Sequence, residues 1–173
     1  VRLGDGSTAE EPYDVLVIST GVSNGFWRRP GLESADEIAA GIDAAHRTLA
    51  EADSIAVIGG GAAAVGTAWN AARVWPGKQV DLYFPGEVAL PLHHRRVWAR
   101  VGRELEEAGV GVHPGHRAVV PDDIDGITSD PVAWSTGQDD VRADAVIWAI
   151  GRANPNTAWV PPEILDEDGY VRA

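Results

Sequence analysis

Three consecutive glycines place the strongest constraint on how this chain can fold. Gly59, Gly60 and Gly61 follow a short apolar run at residues 55–58 and precede a run of alanines. An apolar run that is short and rich in β-branched residues is typical of a strand buried on both faces of a parallel sheet. The glycines permit a tight turn, and Gly61 leaves room for a pyrophosphate where the next helix begins. The pattern therefore predicts a strand, a phosphate-binding turn and a helix.

Small residues after the turn extend this pattern. Ala62, Ala63 and Ala64 follow the glycines, and Ala64 takes the third glycine position of the G-x-G-x-x-[GA] pattern of dinucleotide-binding folds. Gly66 and Ala68 would let the helix lie close against the strand. The same residues could serve close packing without any ligand. We favour dinucleotide binding over ligand-free packing, and the order of the surrounding strands and helices is needed to decide between the two.

Charge and composition exclude several classes of partner. The 173 residues carry a formal net charge of −12, which argues against nucleic acid and anionic membrane surfaces as partners. Cysteine is absent, so these residues hold no disulfide, thiolate zinc site or redox-active dithiol. No apolar run reaches the roughly 18 residues of a transmembrane segment, and no signal stretch opens the sequence. We therefore expect a soluble, cytoplasmic protein.

The segment before the glycine turn contains a helix with a clear start. Ser34 is a candidate N-cap, and Asp36 and Glu37 place negative charge in the first turn. Apolar residues recur at helical spacing and would form one face that packs on the core: Ile38, Ile42, Ala45 and Leu49.

Strands and helices alternate after the glycine turn as well. The pattern predicts a strand at residues 79–84, a helix at about 94–108, a third strand at 110–113 and a buried strand at 145–150. Residues 117–141 break the alternation, because short extended pieces separated by turns suggest a small antiparallel meander. The fold class expected from this order is α/β, a Rossmann-type three-layer domain with a parallel sheet and a small antiparallel β-meander.

The two ends of the chain look different. Residues 1–14 predict a hairpin, and residues 13–18 predict a buried strand that stops at Ser19-Thr20-Gly21. Residues 22–31 read as an irregular connector, and residues 152–173 as an irregular tail rich in Pro and Asn. Methionine is absent, so we expect that a chain starting at Val1 is part of a longer protein.

The sequence resembles the FAD-dependent pyridine nucleotide(-disulfide) oxidoreductases over nearly its whole length. Four stretches carry the likeness, in an order and spacing far more specific than the glycines alone: YDVLVISTG at 13–21, IAVIGGGAAAVGTA at 55–68, LEEAGVGV at 105–112 and ADAVIWAIGRANPNT at 143–157. In this family an NAD(P)H-binding domain is inserted into an FAD domain. The resemblance thus implies an oxidoreductase, a flavoprotein that passes hydride from NAD(P)H to FAD and then to an acceptor.

The resemblance also implies domain boundaries. The chain would cross between domains at Ser19-Thr20-Gly21 and again at Ala149, Ile150 and Gly151. Residues 1–21 would be a remnant of the FAD domain, residues 22–151 the NAD(P)H-binding domain, and residues 152–173 the return into the FAD domain. The cofactors implied are NAD(P)H and, in the full-length protein, FAD. The family's own FAD-binding motifs do not appear, so the missing FAD domain of the same chain is an expected partner.

Two departures from the family pattern concern the nicotinamide and the ribose. Gly66 stands where the family often has Glu near the nicotinamide and flavin. Phe84 stands where an acidic residue would accept hydrogen bonds from the adenosine ribose. Phe84 does not repel a 2′-phosphate, so we expect a loose cofactor preference or one that leans towards NADPH.

A basic cluster at the start of the predicted helix 94–108 has two interpretations. Arg95 and Arg96 oppose the helix dipole there, and they could bind an adenosine 2′-phosphate if the connector at 85–92 folds back over the strand end. Alternatively they belong to a solvated helix face with pairs such as Arg100 with Glu104. The sequence leaves the two interpretations even.

No residue in the chain looks like a catalytic acid, base or nucleophile, and none is assigned. His46, His113 and His116 are interpreted as surface or turn residues and not as metal ligands, since no second ligand stands at metal spacing. The rival functions are a degenerate, non-catalytic nucleotide-binding or interaction module, for which Gly66 is the sign, and a Rossmann domain for another adenosine ligand.

Self-association is a further expectation. Without the rest of an FAD domain, apolar surface around Val15, Val17, Val146 and Trp148 would be partly uncovered. Such a surface could drive formation of a homodimer.

Overall fold

The computed structural model describes residues 5–23, 34–121, 124, 126–151 and 154–172. The chain divides into two units. The larger unit is Ser23–Asn154, and the smaller unit combines Val1–Val22 with Pro155–Ala173. Of the connector predicted at 22–31, only Val22 and Ser23 lie among the described residues, where they form strand β1, and β1 pairs with β7 (Asn154–Pro155).

A five-stranded sheet with the order β4-β3-β2-β6-β5 forms the centre of the larger unit. Four strands run parallel: β2 (Ser54–Ile58), β3 (Gln79–Tyr83), β4 (Val110–His113) and β6 (Ala145–Trp148). The short β5 (Ile127–Thr128) lies antiparallel to β6. The three helices are α1 (Ala35–Glu51), α2 (Ala62–Val74) and α3 (Arg95–Glu107). The predicted α/β class with a mostly parallel, Rossmann-like sheet is confirmed.

The central strand β2 is buried on both faces, as its apolar sequence predicts. Ile55 and Val57 pack in a core cluster with small residues of α2, including Ala64 and Ala68. The alternate residues of the strand belong to a second cluster that includes Val132, Trp134 and Val146. Because successive strand residues point to opposite faces, this division gives two cores, one on each side of the sheet.

Helix α1 begins as predicted but does not bury its apolar face. Ser34 is its N-cap and makes a capping box with Glu37, whose carboxylate accepts from Ser34 N at 2.7 Å. No residue of α1 is buried, and Ile38 and Ile42 keep 47% and 48% of their surface exposed. The prediction of a core-packed face is therefore wrong for these two residues, since no described element covers them.

The C-terminal end of α1 is attached to the rest of the larger unit. Lys78 Nζ, from the connection before β3, donates to Ala50 O at 2.8 Å and also to Ala52 O. Leu49 packs against the core cluster, and the His46 ring lies 5.2 Å from that of Trp75. The helix is held through these contacts at its last turns.

A carboxylate joins the starts of β2 and β6. Asp144 Oδ2 accepts from Ser54 Oγ at 2.8 Å, from Ser54 N at 2.9 Å and from Asp53 N at 3.1 Å. The Ser54 hydroxyl, followed by the backbone N–H groups, lowers the pKa of Asp144 because these donors stabilise the ionised form.

The predicted meander is present as isolated antiparallel bridges and one short strand. Ala118 pairs with Trp134 and Val132 with Val141, and β5 (Ile127–Thr128) is the one regular strand in the described part of 117–141. This segment covers one face of the sheet and buries Val146 completely. Trp148 is partly buried and donates from Nε1 to Thr128 Oγ1 at 2.9 Å. The expectation that Val146 is uncovered is therefore wrong.

The smaller unit contains little regular structure among its described residues. Residues 13–18 form no strand, contrary to prediction, and Val15 and Val17 are each 81% exposed. A strand needs neighbouring backbone partners, and the described chain supplies none there. Thr157 Oγ1 donates to Gly169 O at 2.6 Å, and a short 3-10 helix spans Pro162–Ile164. Among the described helices, none is both long and apolar enough to cross a membrane.

Candidate dinucleotide-binding site

A cavity of about 730 Å³ opens at the carboxyl ends of β2, β3 and β6. In parallel α/β sheets this edge is where ligands bind. The predicted turn residues Gly59, Gly60, Gly61, Ala62 and Ala63 line it on one side. On another side it is lined by Ala149, Ile150 and Gly151, which follow β6. The structure therefore brings these predicted site residues together around one space.

Each glycine of the turn has a different structural role. Gly59 has φ +143°, and a Cβ on it would lie 2.1 Å from the carbonyl oxygen of Ala149. A Cβ on Gly60 would lie 3.1 Å from Phe84 Cβ, whereas a Cβ on Gly61 would meet no atom within 4 Å. Packing thus requires glycine at position 59 and leaves little room for a Cβ at position 60, while Gly61 borders open space.

The N-terminus of α2 is open towards the cavity. Gly61 is the N-cap, with φ −87° and ψ 177°, and provides no side chain to cap the helix. Its carbonyl accepts from Val65 N at 3.1 Å. The first backbone N–H groups of a helix lack intrahelical acceptors and carry a partial positive charge, so this end suits an anion such as a pyrophosphate. Ala64, by contrast, is fully buried and packs the helix on the sheet.

The connector after β3 is fastened to the glycine turn. Leu90 N donates to Gly60 O at 2.7 Å, and Leu90 itself adopts φ +56°, in the left-handed region. Ala89 is completely buried beside it. The connector therefore does fold back to the turn, but it does so through Leu90.

Phe84 lies away from the cavity. Its side chain is 1% exposed and meets the Trp98 ring edge-on, with ring centroids 5.5 Å apart. The chain therefore presents neither a carboxylate nor the Phe84 ring to a ribose at this position. The neighbours Tyr83 and Pro85 line the cavity instead.

Arg95 and Arg96 lie in the first turn of α3 and are exposed. The cap of that helix is His94, whose Nδ1 accepts from Arg96 N at 3.2 Å. Neither arginine lines the cavity. Further along the same helix, Arg100 Nε lies 3.8 Å from Glu104 Oε1 in an exposed i,i+4 pair, as expected for a solvated face.

Sequence reasoning missed a group of aromatic and basic residues that also line the cavity. Tyr83, His116 and Arg117 all line it. The Tyr83 ring packs edge-on against His116 at 5.3 Å and lies 5.0 Å from the ring of Trp134. A usable signal existed, since residues that follow adjacent parallel strands meet at the same sheet edge.

A side-chain contact between His113 and Asp81 beneath Tyr83 supports this aromatic group. His113 Nε2 and Asp81 Oδ1 are 2.6 Å apart, and the Tyr83 ring stacks on His113 with centroids 4.4 Å apart. A Cβ on Gly111 would fall 2.1 Å from Asp81 Oδ1, so glycine makes room for the pair. Burial, followed by the nearby Asp81 charge, raises the pKa of Tyr83 to about 12. Among the described residues, no group of three His, Cys, Asp or Glu side chains is arranged to hold a metal.

The loop after β4 is hydrogen-bonded to the residues after β3. Phe84 N donates to His113 O at 3.2 Å, and His116 N donates to Phe84 O at 2.9 Å. Gly115 N donates to Gly86 O at 3.0 Å. His116 and Arg117 are therefore fixed directly beside the end of β3.

Comparison with protein families and curated sequences gives a consistent result. A family model described as pyridine nucleotide-disulphide oxidoreductase matches residues 1–171. Oxidoreductase OXR1 of Ajellomyces capsulatus is 26% identical over 178 residues, covering 98% of this chain and 38% of that protein.

Solved structures show the same fold at low identity. The water-forming NADH oxidase of Lactobacillus brevis, bound to NADH, is 20% identical with a TM-score of 0.65, over 95% of this chain and 36% of the oxidase. An engineered variant of it, a water-forming NADPH oxidase bound to NADPH, gives a TM-score of 0.68 at 20% identity, with the same shares covered. The HOCl-induced flavoprotein disulfide reductase RclA of Escherichia coli gives 0.55 at 20% identity, over 70% of this chain and 27% of the reductase. This chain thus spans well under half the length of these relatives.

Proposed function

The chain belongs to the pyridine nucleotide-disulphide oxidoreductase family, and on that basis we propose that it is the NAD(P)H-binding domain of a flavoprotein oxidoreductase. The observation that carries the proposal is the open N-terminus of α2 at Gly61, which borders the cavity at the sheet edge. The pyrophosphate of NAD(P)H would lie over Gly59 to Ala64, with the backbone N–H groups of the first helical turn as donors.

The cavity suits a negatively charged ligand in a second respect. Among the described residues that line it, none carries a carboxylate, although the whole chain has a net charge of −12. The apolar walls at Ile58, Ile147 and Trp148 would exclude water and strengthen the hydrogen bonds to the phosphates. The chain's own residues would thus bind and orient the dinucleotide.

The cofactors would supply the chemistry, in which a hydride, two electrons with one proton, passes from reduced nicotinamide to FAD and the electrons then pass to an acceptor. We assign residues 1–21 and 152–173 to the FAD domain and residues 22–151 to the NAD(P)H domain. The division of the chain into the units Ser23–Asn154 and Val1–Val22 with Pro155–Ala173 supports this assignment, since its borders lie within a few residues of the proposed ones.

The test of the proposed site is Gly61→Val. A side chain at this position enters open space at the helix start, where the phosphates would lie, and the backbone conformation there is one that any residue adopts. We expect the variant to fold and to lose affinity for both NADH and NADPH in calorimetry. Gly41→Val, on exposed α1 with no atom within 4 Å of its Cβ, is the matched control and should bind both as the parent does. Equal affinities in Gly61→Val and the parent would show that the assigned site is wrong.

The rival function is a non-catalytic nucleotide-binding module, and it rests on Gly66. This residue of α2 has no side chain, although its neighbour Thr67 lines the cavity. The full-length protein distinguishes the two functions. An oxidoreductase should carry a yellow flavin that NADH or NADPH bleaches under anaerobic conditions. A protein that binds the dinucleotide without bleaching would be the non-catalytic module.

We also propose that the apolar residues at 13–17 are covered by other protein, either the FAD domain or a second copy in a homodimer. Tyr13, Leu16 and Val17 are 66%, 52% and 81% exposed. Such a patch on a soluble protein usually marks a contact surface. Sedimentation of the 173-residue chain at high concentration should show self-association, and a strictly monomeric profile would count against the homodimer.

A further inference from the structure

We propose that Arg117 binds the adenosine 2′-phosphate and so gives the site its preference for NADPH. The inference rests on the proposed dinucleotide site. It assigns the selectivity to the loop after β4 and not to the basic start of α3.

The first step is the position of the adenosine ribose. In dinucleotide-binding folds the residue that reads the 2′-hydroxyl stands at the end of the second strand of the βαβ unit. Phe84 holds that position here, but its side chain is buried against Trp98. Its carbonyl oxygen accepts a hydrogen bond from His116 N at 2.9 Å. Its neighbours Tyr83 and Pro85 line the cavity but carry no positive charge, and the basic side chains that line it, His116 and Arg117, come from the loop after β4.

The second step is the placement of Arg117. Its N–H donates to Thr136 Oγ1 at 3.1 Å, and its carbonyl accepts from Ser135 N at 2.9 Å and from Ser135 Oγ at 3.1 Å. These bonds hold the backbone of Arg117 against the segment that contains Ser135 and Thr136. Arg117 is exposed and lines the cavity, so its long side chain is available to a phosphate bound there.

The third step is charge. Arg117 is the one Arg or Lys among the described residues that line the cavity. His116 is a weaker candidate, because its Nδ1 lies 2.9 Å from Pro114 O and must donate to that carbonyl. Its Nε2 then carries a proton only in the doubly protonated form, whereas a guanidinium always presents N–H donors and a positive charge to a phosphate.

The test uses adenosine 2′,5′-bisphosphate and AMP as probes of the adenosine half, together with NADPH and NADH. Arg117→Ala should weaken the bisphosphate and NADPH by roughly tenfold or more, since a charge-assisted hydrogen bond is lost. AMP and NADH should change little. Arg117→Lys keeps the positive charge but loses the planar set of guanidinium N–H donors, and it should retain part of the preference for NADPH over NADH. The controls are Arg142→Ala, an exposed arginine outside the cavity, and the double variant Arg95→Ala with Arg96→Ala.

The outcomes separate this inference from the proposed function. If Arg117→Ala weakens AMP and the bisphosphate equally, the guanidinium contacts the adenine or the 5′-phosphate, and the assignment is wrong. It is also wrong if only the Arg95 and Arg96 variant changes the ratio, or if the parent binds NADH but not the bisphosphate. In each of these results the dinucleotide site itself stands. Failure of the parent to bind either dinucleotide overturns both proposals.

Discussion

Replacing Gly59 and Gly61 separately by alanine should have opposite consequences for stability, although the two residues are two positions apart in one turn. At Gly59 the new Cβ would lie 2.1 Å from Ala149 O, and φ is +143°. The Ala149 carbonyl would have to move by roughly 1 Å to reach van der Waals separation. That peptide is not free to move, because Ala149 N donates to Ile58 O at 2.8 Å.

The expected cost of Gly59→Ala is the sum of two terms. The backbone conformation costs about 1 to 3 kcal/mol for a residue with a Cβ, and disturbing the bond between Ala149 and Ile58 costs about 1 kcal/mol. A total of about 3 kcal/mol should lower the Tm by roughly 6 to 12 °C in a chain of this size. Gly61→Ala meets no atom within 4 Å and has ordinary extended dihedral angles. It should leave the Tm unchanged or raise it slightly, because alanine restricts the unfolded chain by up to about 1 kcal/mol.

The assay is thermal unfolding of the parent and both variants, followed by far-UV circular dichroism at one protein concentration. Urea unfolding at 25 °C provides an independent value of the free energy. Equal destabilisation by the two substitutions, or a stable Gly59→Ala, would refute the close contact between the glycine turn and the end of β6.

Two further predictions concern the cluster beside the cavity and the start of α1. Because burial and then Asp81 raise the pKa of Tyr83 to about 12, the folded protein keeps that proton when the unfolded chain loses it near pH 10. Stability should therefore fall between about pH 10 and pH 12, and Tyr83→Phe should remove part of that slope in alkaline urea titrations. Ser34→Ala removes the acceptor that Glu37 N reaches at 3.2 Å, and should cost α1 about 1 kcal/mol. The measurement is amide hydrogen exchange of the first helical turn, and unchanged exchange there would show that the capping box contributes nothing.

The sequence predicted those elements whose local pattern and packing agree. The strand at Ser54–Ile58, the glycine turn and helix α2 follow directly from an apolar run, three glycines and small residues. The strand at Val110–His113 matched its predicted bounds. Parallel strands buried on both faces have continuous apolar sequences, and this makes them visible without knowledge of their neighbours.

Predictions failed where the outcome depends on distant residues. Residues 13–18 have the composition of a strand, yet a strand forms only beside another strand, and the described chain offers no partner. Ile38 and Ile42 lie on one face of α1, but periodicity does not state what covers that face. The same limit applies to the site: the contact of His116 N with Phe84 O joins residues 32 apart, which no local pattern reveals.

The attachment of α1 at its C-terminal end divides one continuous helix into parts of unequal local stability. Unfolding of the last turn breaks the two bonds from Lys78 and uncovers Leu49. Unfolding of the first turns uncovers no buried side chain, because Ile38 and Ile42 are already in contact with solvent. The helix therefore frays from Ser34 towards His46 without loss of the core, and its free energy of opening rises along its length. Local opening at the start of α1 therefore leaves the sheet that holds the cavity intact.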